Sequence, residues 1–156
     1  MEIRRSENRD IPGLIALLKQ VGQVHHEIRP DLFRWGAQKY DEDALAQLLA
    51  DENRPIFVAV EENTVLGYAF CVHNAWEDHG VFADRRELYV DDICVEESCR
   101  GRGVASALFE YVKAYAKDRD MDYITLNVWH GNDAAMRFYG KAGMTPRSMT
   151  MEMKLC

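Results

Sequence analysis

Three stretches of this chain carry residue types that could do chemistry. The first is Arg100-Gly101-Arg102-Gly103-Val104-Ala105-Ser106, within LYVDDICVEESCRGRGVASALF from Leu88 to Phe109. It reads as a strand, a tight glycine-bearing loop and the start of a helix. Amides in a helix's first turn have no partner inside the helix, and the dipole adds positive charge there, so the pattern predicts a phosphate site. Glycine at 101 and 103 lets an anion approach the backbone with no Cβ in the way, and a diphosphate ligand is the expectation. The second stretch is the adjacent acidic pair Asp91-Asp92 on the strand before the loop. Successive strand residues face opposite sides, so one of them alone should reach a cleft unless a bulge re-aims the strand. The third is His25-His26-Glu27. Neighbouring helical residues do not share a face and no HExxH spacing exists, so no metal site is expected. A flexible segment over a substrate pocket, with His26 and Glu27 towards the substrate, is the expectation; a plain surface helix is the alternative.

The elements that position these residues follow from periodicity and breakers. Ile3-Arg4-Arg5 is a short strand, and Asp10 is a cap for a helix with Pro12 in its first turn. That helix carries Ile11, Leu14, Ile15, Leu17, Leu18 and Val21 at helical spacing. Asp41 to Leu49 predicts a second helix with acids in its first turn. Ile56 to Glu61 and Val65 to His73 form a hairpin about Glu62-Asn63-Thr64. Asn74 to Asp84 reads as a loop, and Arg86 to Val95 as the central strand. The helix from Val104 to Lys117 is expected to bury Val104, Leu108, Tyr111, Val112 and Tyr115. Tyr123 to Trp129 is a strand. Asn132 or Asp133 caps a last helix with a stripe of Ala135, Met136, Phe138 and Tyr139, and Gly143 ends it. Met149 to Leu155 alternates apolar and polar residues and predicts a terminal strand. The sum is a single α/β domain over residues 1–156 with a mixed sheet.

Composition narrows the function classes. No apolar run approaches the roughly 20 residues that span a bilayer, and the amino-terminal segment lacks the apolar core of a secretory signal, so a cytoplasmic protein with no membrane partner is expected. The net charge of −7 argues against a nucleic-acid partner and is compatible with a cationic small substrate. The cysteines at 71, 94, 99 and 156 have no CxxC or metal-ligand spacing and read as reduced small hydrophobes.

Among anion loops, a Walker run GxxxxGK[ST] is absent. A dinucleotide fingerprint fails at Ser106, and too little chain follows for repeated βαβ units. The segment Arg100-x-x-Gly103-x-Ala105 instead resembles the [QR]xxGx[GA] signature of the GNAT superfamily of acyl-CoA-dependent N-acetyltransferases. Asn132-Asp133-Ala134-Ala135-Met136-Arg137-Phe138-Tyr139, followed by Gly143-Met144, resembles that family's NxxAxxFYxxxGF segment. The order of elements agrees, so the resemblance covers nearly the whole chain.

The resemblance implies a mixed, mostly antiparallel sheet flanked by helices, whose fourth and fifth strands splay apart around the arm of acetyl-CoA (coenzyme A). The backbone of Ile93, Cys94 and Val95 would pair with the arm. The amides of Arg100, Gly101, Arg102, Gly103, Val104, Ala105 and Ser106 would hold the diphosphate, and Asn132 would anchor the arm from the other side. Tyr139 matches the tyrosine that serves the leaving sulfur. LYVDDICV is similar to the polyamine (spermidine/spermine-type) acetyltransferases, in which Asp91 would stand for a glutamate base and Asp92 for its neighbouring aspartate. Transfer from an alkylammonium to an ordinary carboxylate is uphill by about 8 kcal/mol, so Asp91 is expected to bind and orient the amine and relay its proton through water. The implied function is acetyl transfer to a primary amine of a small cationic molecule: polyamine, diamine, amino acid derivative or aminoglycoside. The rivals are acetylation of a protein N-terminus or lysine, and a non-catalytic acyl-CoA sensor. The resemblance, together with the exposed-looking terminal strand, makes a homodimer a further expectation.

Overall fold

Alternating apolar residues build a sheet buried on both faces. The structure, a computed structural model, describes residues 1–156. β1 (Glu2–Arg5), β2 (Ile56–Glu61), β3 (Thr64–Trp76), β4 (Arg85–Val95) and β5 (Tyr123–Leu126) form one sheet in that spatial order. The first three pairings are antiparallel, whereas β5 joins β4 in parallel, giving the expected mixed α/β sheet. On β2, Ile56, Val58 and Val60 face Leu14, Leu17 and Leu18 of α1 (Ile11–Ile28) and Leu45 and Leu48 of α2 (Glu42–Leu49). Phe57 and Ala59 face Val104, Leu108 and Val112 of α3 (Val104–Asp118), which connects β4 to β5. The β2–β3 hairpin turns through Glu62 and Asn63, both at positive φ (49° and 65°), the geometry that matches the twist of a two-residue hairpin loop. Asp41 caps α2 by accepting from the Ala44 amide at 2.8 Å.

Several expectations need correction. Asp10 does not cap α1 through its side chain. Its carboxylate is taken by Arg4, at 2.7 and 3.0 Å, and by the Glu7 amide at 2.7 Å. The His25–Ile28 stretch is the last turn of α1 instead of a flexible segment, because the ladder continues to Arg29 N–H donating to the His25 carbonyl at 2.9 Å. β3 runs on to Trp76 into the expected loop, and β5 stops at Leu126. Tyr111 lies at the edge of the α3 stripe and stays exposed, while Phe109, not expected in the core, is buried. α4 (Asp133–Lys141) is capped by Asn132 and ends before Gly143, whose φ of 100° suits only glycine comfortably.

The terminal strand is the largest difference. Residues from Met149 to Leu155 belong to no strand, and no backbone hydrogen bond involves any residue beyond Met144. Alternation specifies a half-buried extended segment but not the edge with which it pairs.

Candidate functional site

The centre of the site is a gap between strands. β4 and β5 pair from Glu87–Tyr123 to Val90–Leu126, after which β5 ends and β4 continues beside β3 alone. From Asp91 to Val95 the edge of β4 away from β3 therefore has no partner strand. Ile93 packs on the α3 side and Cys94 on the α1 side. Burial pushes the Cys94 thiol up to about 12, which makes it an inert apolar group.

The strand leads into the glycine loop. Gly101 and Gly103 have φ of 80° and 79°, which any L side chain adopts only with strain, and no atom lies within 4 Å of where a Cβ would stand. The first bond of α3 is Ala107 N–H to the Gly103 carbonyl at 3.0 Å, and the amides of Gly101, Arg102, Gly103, Val104, Ala105 and Ser106 reach no acceptor within the protein. Unpaired donors, the dipole of α3 and bare glycine backbone suit a diphosphate, and the open β4 edge suits an amide-bearing arm attached to it. The Arg102 guanidinium turns away to Glu61, at 2.8 Å, and lies 3.6 Å from Cys99 Sγ, so its backbone alone faces such a ligand. Arg100 is exposed.

A β-bulge governs the acidic pair. Phe70 pairs with Asp92 and Cys71 with Val90, leaving Asp91 as the extra residue. The bulge breaks the alternation, and both carboxylates lie on the α1 side of the sheet. Asp91 accepts from Lys39 Nζ at 2.6 Å, and Asp92 accepts from the Tyr68 hydroxyl at 2.8 Å. Burial pushes the Asp92 carboxyl up to about 6, against the pull of the Tyr68 bond and the Lys39 charge. Tyr68 is held well above the ordinary phenol range by burial and by the Asp92 charge. Partial burial works against the Lys39 ammonium, but the hydrogen bond and charge of Asp91 outweigh it and raise its pKa.

Across the gap stands α4. Tyr139 is half-buried, with ring centroids 5.8 Å from Phe109 and 5.1 Å from Phe138. Burial raises its pKa, and the charge of Asp92 adds to the shift. Asn132 Oδ1 accepts from the Ala135 amide at 3.2 Å, which leaves its amide nitrogen as a donor. An aromatic bridge spans the opening: His25 stacks on Phe33 at 4.9 Å, and Phe33 meets Trp129 edge-on at 5.0 Å.

Of the residues singled out in the sequence, the structure brings Asp92 within electrostatic reach of both Asp91 and Tyr139. It does not bring His26 or Glu27 to them. His26 Nδ1 lies 2.7 Å from the Phe33 carbonyl, and Glu27, exposed, accepts from Gln23 along the helix at 3.2 Å. His25 is the member of that run that senses Lys39. Lys39 and Tyr68 escaped the sequence reading. Lys39 sits in an aperiodic segment, and Tyr68 in a β3 run that reads as plain core.

Comparison with known proteins agrees with this geometry. An uncharacterized N-acetyltransferase of Mycobacterium bovis is 30% identical over 98 residues, which is 63% of this chain and 57% of that protein, so the match spans little more than half of the relative. The crystal structure of a mutant BH1408 protein from Bacillus halodurans is 29% identical, with a TM-score of 0.95 and 100% of both chains covered. An aminoglycoside N-acetyltransferase in complex with CoA shares the fold at a TM-score of 0.72 and 17% identity, over 99% of this chain and 100% of the other. Residues 22–144 match the model of the acetyltransferase (GNAT) family, and the chain belongs to that family.

Proposed function

We propose that this protein transfers an acetyl group from acetyl-CoA to a primary amine of a small cationic molecule, a polyamine, diamine, amino acid derivative or aminoglycoside. The observation that carries this reading is the Lys39 ammonium seated on Asp91, next to a second carboxyl whose pKa is raised to about 6. An alkylammonium is the group this acidic pair accepts within its own chain.

When bound, acetyl-CoA supplies the acetyl group as an activated thioester. The amides from Gly101 to Ser106 would hold its diphosphate, the backbone of Ile93, Cys94 and Val95 would pair with its arm, and the Asn132 amide nitrogen would donate to it from the α4 side. Asp91 takes the substrate ammonium in place of Lys39 Nζ and orients it. Asp92 accepts one proton of the ammonium at a carboxylate oxygen, directly or through water, and passes it to solvent, leaving a neutral amine with the lone pair that attack on the acyl carbon requires. A backbone amide of Ile93 or Cys94 would be the donor for negative charge on the acyl oxygen. The Tyr139 hydroxyl donates a hydrogen bond to the departing sulfur. With its pKa raised, Tyr139 holds its own proton more tightly than a free phenol, so it would act as a hydrogen-bond donor; of the two protons the ammonium loses, one would leave to solvent through Asp92 and the second would end on the released thiol.

Free, unpaired cysteines at 71, 94, 99 and 156 accord with a reducing compartment, and we place the protein in the cytoplasm. Thiol release from acetyl-CoA, measured across a panel of polyamines, diamines, amino acid derivatives and aminoglycosides, tests the reading. At least one cationic amine should raise release well above solvent hydrolysis. Binding of acetyl-CoA with no amine-dependent release would leave a sensor instead of an enzyme.

A further inference from the structure

Lys39 occupies the seat that an amine substrate needs, and the fold holds it there. Residues 30–40 connect α1 to α2 through turns and bends, and they are pinned on both sides of Lys39. The Phe33 carbonyl lies 2.7 Å from His26 Nδ1. A Cβ at Gly22 would stand 2.6 Å from the Ala37 carbonyl oxygen, so the segment rests on bare helix backbone at that point. Gln38 Nε2 donates to the Tyr40 carbonyl at 2.7 Å, and the Tyr40 ring stacks on Phe70 at 5.6 Å. Between these anchors Lys39 Nζ donates to Asp91 at 2.6 Å. The Lys39 side chain is 47% exposed against 21% for Asp91, so a second reactant can reach it while its carboxylate partner is covered. The Lys39 charge also acts on Asp92, the carboxyl within electrostatic reach of Tyr139. No other lysine pairs with Asp91 or Asp92; Lys113 holds Glu110 of its own helix at 2.9 Å.

We propose that the chain acetylates its own Lys39 when acetyl-CoA is bound and no free amine sits on Asp91, and that the neutral amide so formed releases Asp91 to incoming amines. This step rests on the acetyl transfer proposed for the same site. An amine tethered by a short segment meets its partner at an effective concentration in roughly the mM range, so Lys39 competes with free amines of ordinary abundance. Asp92 takes one proton from the Nζ ammonium and passes it to solvent. Nζ then bonds to the acetyl carbon, the carbon–sulfur bond breaks with its electron pair left on sulfur, and the second proton lost from nitrogen ends on the thiol. The acetylated side chain carries no charge, so its ion pair with Asp91 is lost and the carboxylate is left for a free ammonium. Before the transfer Lys39 blocks the seat; after it, the same residue stands aside.

Peptide mass mapping of the full chain, incubated with acetyl-CoA and no added amine, should end with one acetyl group on Lys39 and none gained on the other lysines. The reaction should be first order and keep its rate over about a 100-fold dilution of the protein, as an intramolecular transfer does. Asp92→Asn and Tyr139→Phe should each slow it at least about 10-fold, which uncatalysed acetylation of a surface lysine would not show. With the best acceptor from the thiol-release panel, KM for Lys39→Gln should lie about 5-fold below that for Lys39→Arg, which keeps the charge. Lys39 left unmodified by a chain that acetylates a panel amine would overturn the proposal and leave the activity standing. Lys39 acetylated with no panel amine accepted would support self-acetylation and remove the small-molecule reading. No acetyl transfer to Lys39 or to any amine would overturn both. Acetylation that slows on dilution, spreads equally over the other lysines, or keeps its rate in Asp92→Asn would overturn self-acetylation, and equal KM in the two Lys39 variants would overturn the release of Asp91.

Discussion

Replacing Asp92 by asparagine separates proton handling from amine binding. The Asp92 carboxyl is raised from 3.8 to about 6, chiefly by burial. Moving a proton to it from an alkylammonium near 10.4 is uphill by about 4 units, or roughly 6 kcal/mol, which is about 3 kcal/mol less than to a carboxylate at 3.8. The difference of about 3 kcal/mol is worth on the order of 100-fold in rate, within the usual range for a positioned base. Asp92→Asn should therefore lower kcat by about 100- to 1,000-fold with little change in the amine's KM. The wild-type acid limb of kcat/KM against pH, with an apparent pKa near 6, should vanish in the variant. Stability should move the other way. Because folded Asp92 titrates above its unfolded value, its charge destabilises the fold above about pH 6, and the penalty disappears as pH falls below about 4. Removing the charge relieves about 3 kcal/mol at pH 7, and the weakened bond from Tyr68 returns about 1 kcal/mol of that, so Tm should rise by a few degrees. Steady-state kinetics over pH 5–9 and thermal melts at pH 7 read both effects. A kcat within about 3-fold of wild type, or a lower Tm at pH 7, would refute the assignment.

Three further outcomes are expected. Gly103→Ala forces a side chain to a φ of 79° in front of the loop amides; it should cost about 1–2 kcal/mol of stability and weaken coenzyme A binding more than 10-fold, as read by melting and calorimetry. Tyr139→Phe keeps the packing against Phe109 and Phe138 but removes the hydroxyl; kcat should fall about 10- to 100-fold with Tm unchanged within 1–2 degrees. Asp10→Asn breaks the bidentate pair with Arg4 at a site only 4% exposed, and should cost about 3 kcal/mol at pH 7. Burial opposes the Asp10 charge, but the Arg4 bonds hold its pKa below the ordinary value. That stability is present above about pH 4 and lost as pH falls through the lowered value, so denaturant melts of wild type and variant should converge in acid.

Much of this arrangement was legible in the residues, for physical reasons. Two glycines ahead of a helical stripe announce a loop at positive φ with unpaired amides, and Gly101 and Gly103 adopt that geometry. The β2–β3 hairpin follows from two apolar runs around Glu62-Asn63. What local pattern could not encode is tertiary. The alternation rule put Asp91 and Asp92 on opposite faces, and a single extra residue at Asp91 overrides it. The partner of Asp91, Lys39, lies 52 positions away in a segment with no period. The polar residues His25, His26 and Glu27 looked like a break in α1, yet Phe33 and Gln23 accommodate them on a continuing helix. The terminal segment has the composition of a strand, yet it pairs with neither free edge of its own sheet.

Coenzyme A recognition rests on the loop amides gripping its phosphorylated end. Isothermal titration of the full chain with coenzyme A, and then with pantetheine, which lacks the diphosphate, tests this most directly. Coenzyme A should bind with measurable heat at one molecule per chain and at least about 100-fold more tightly than pantetheine, reflecting charge-assisted bonds to the amides from Gly101 to Ser106. Absence of binding heat with coenzyme A, or equal affinity for the two ligands, would contradict it.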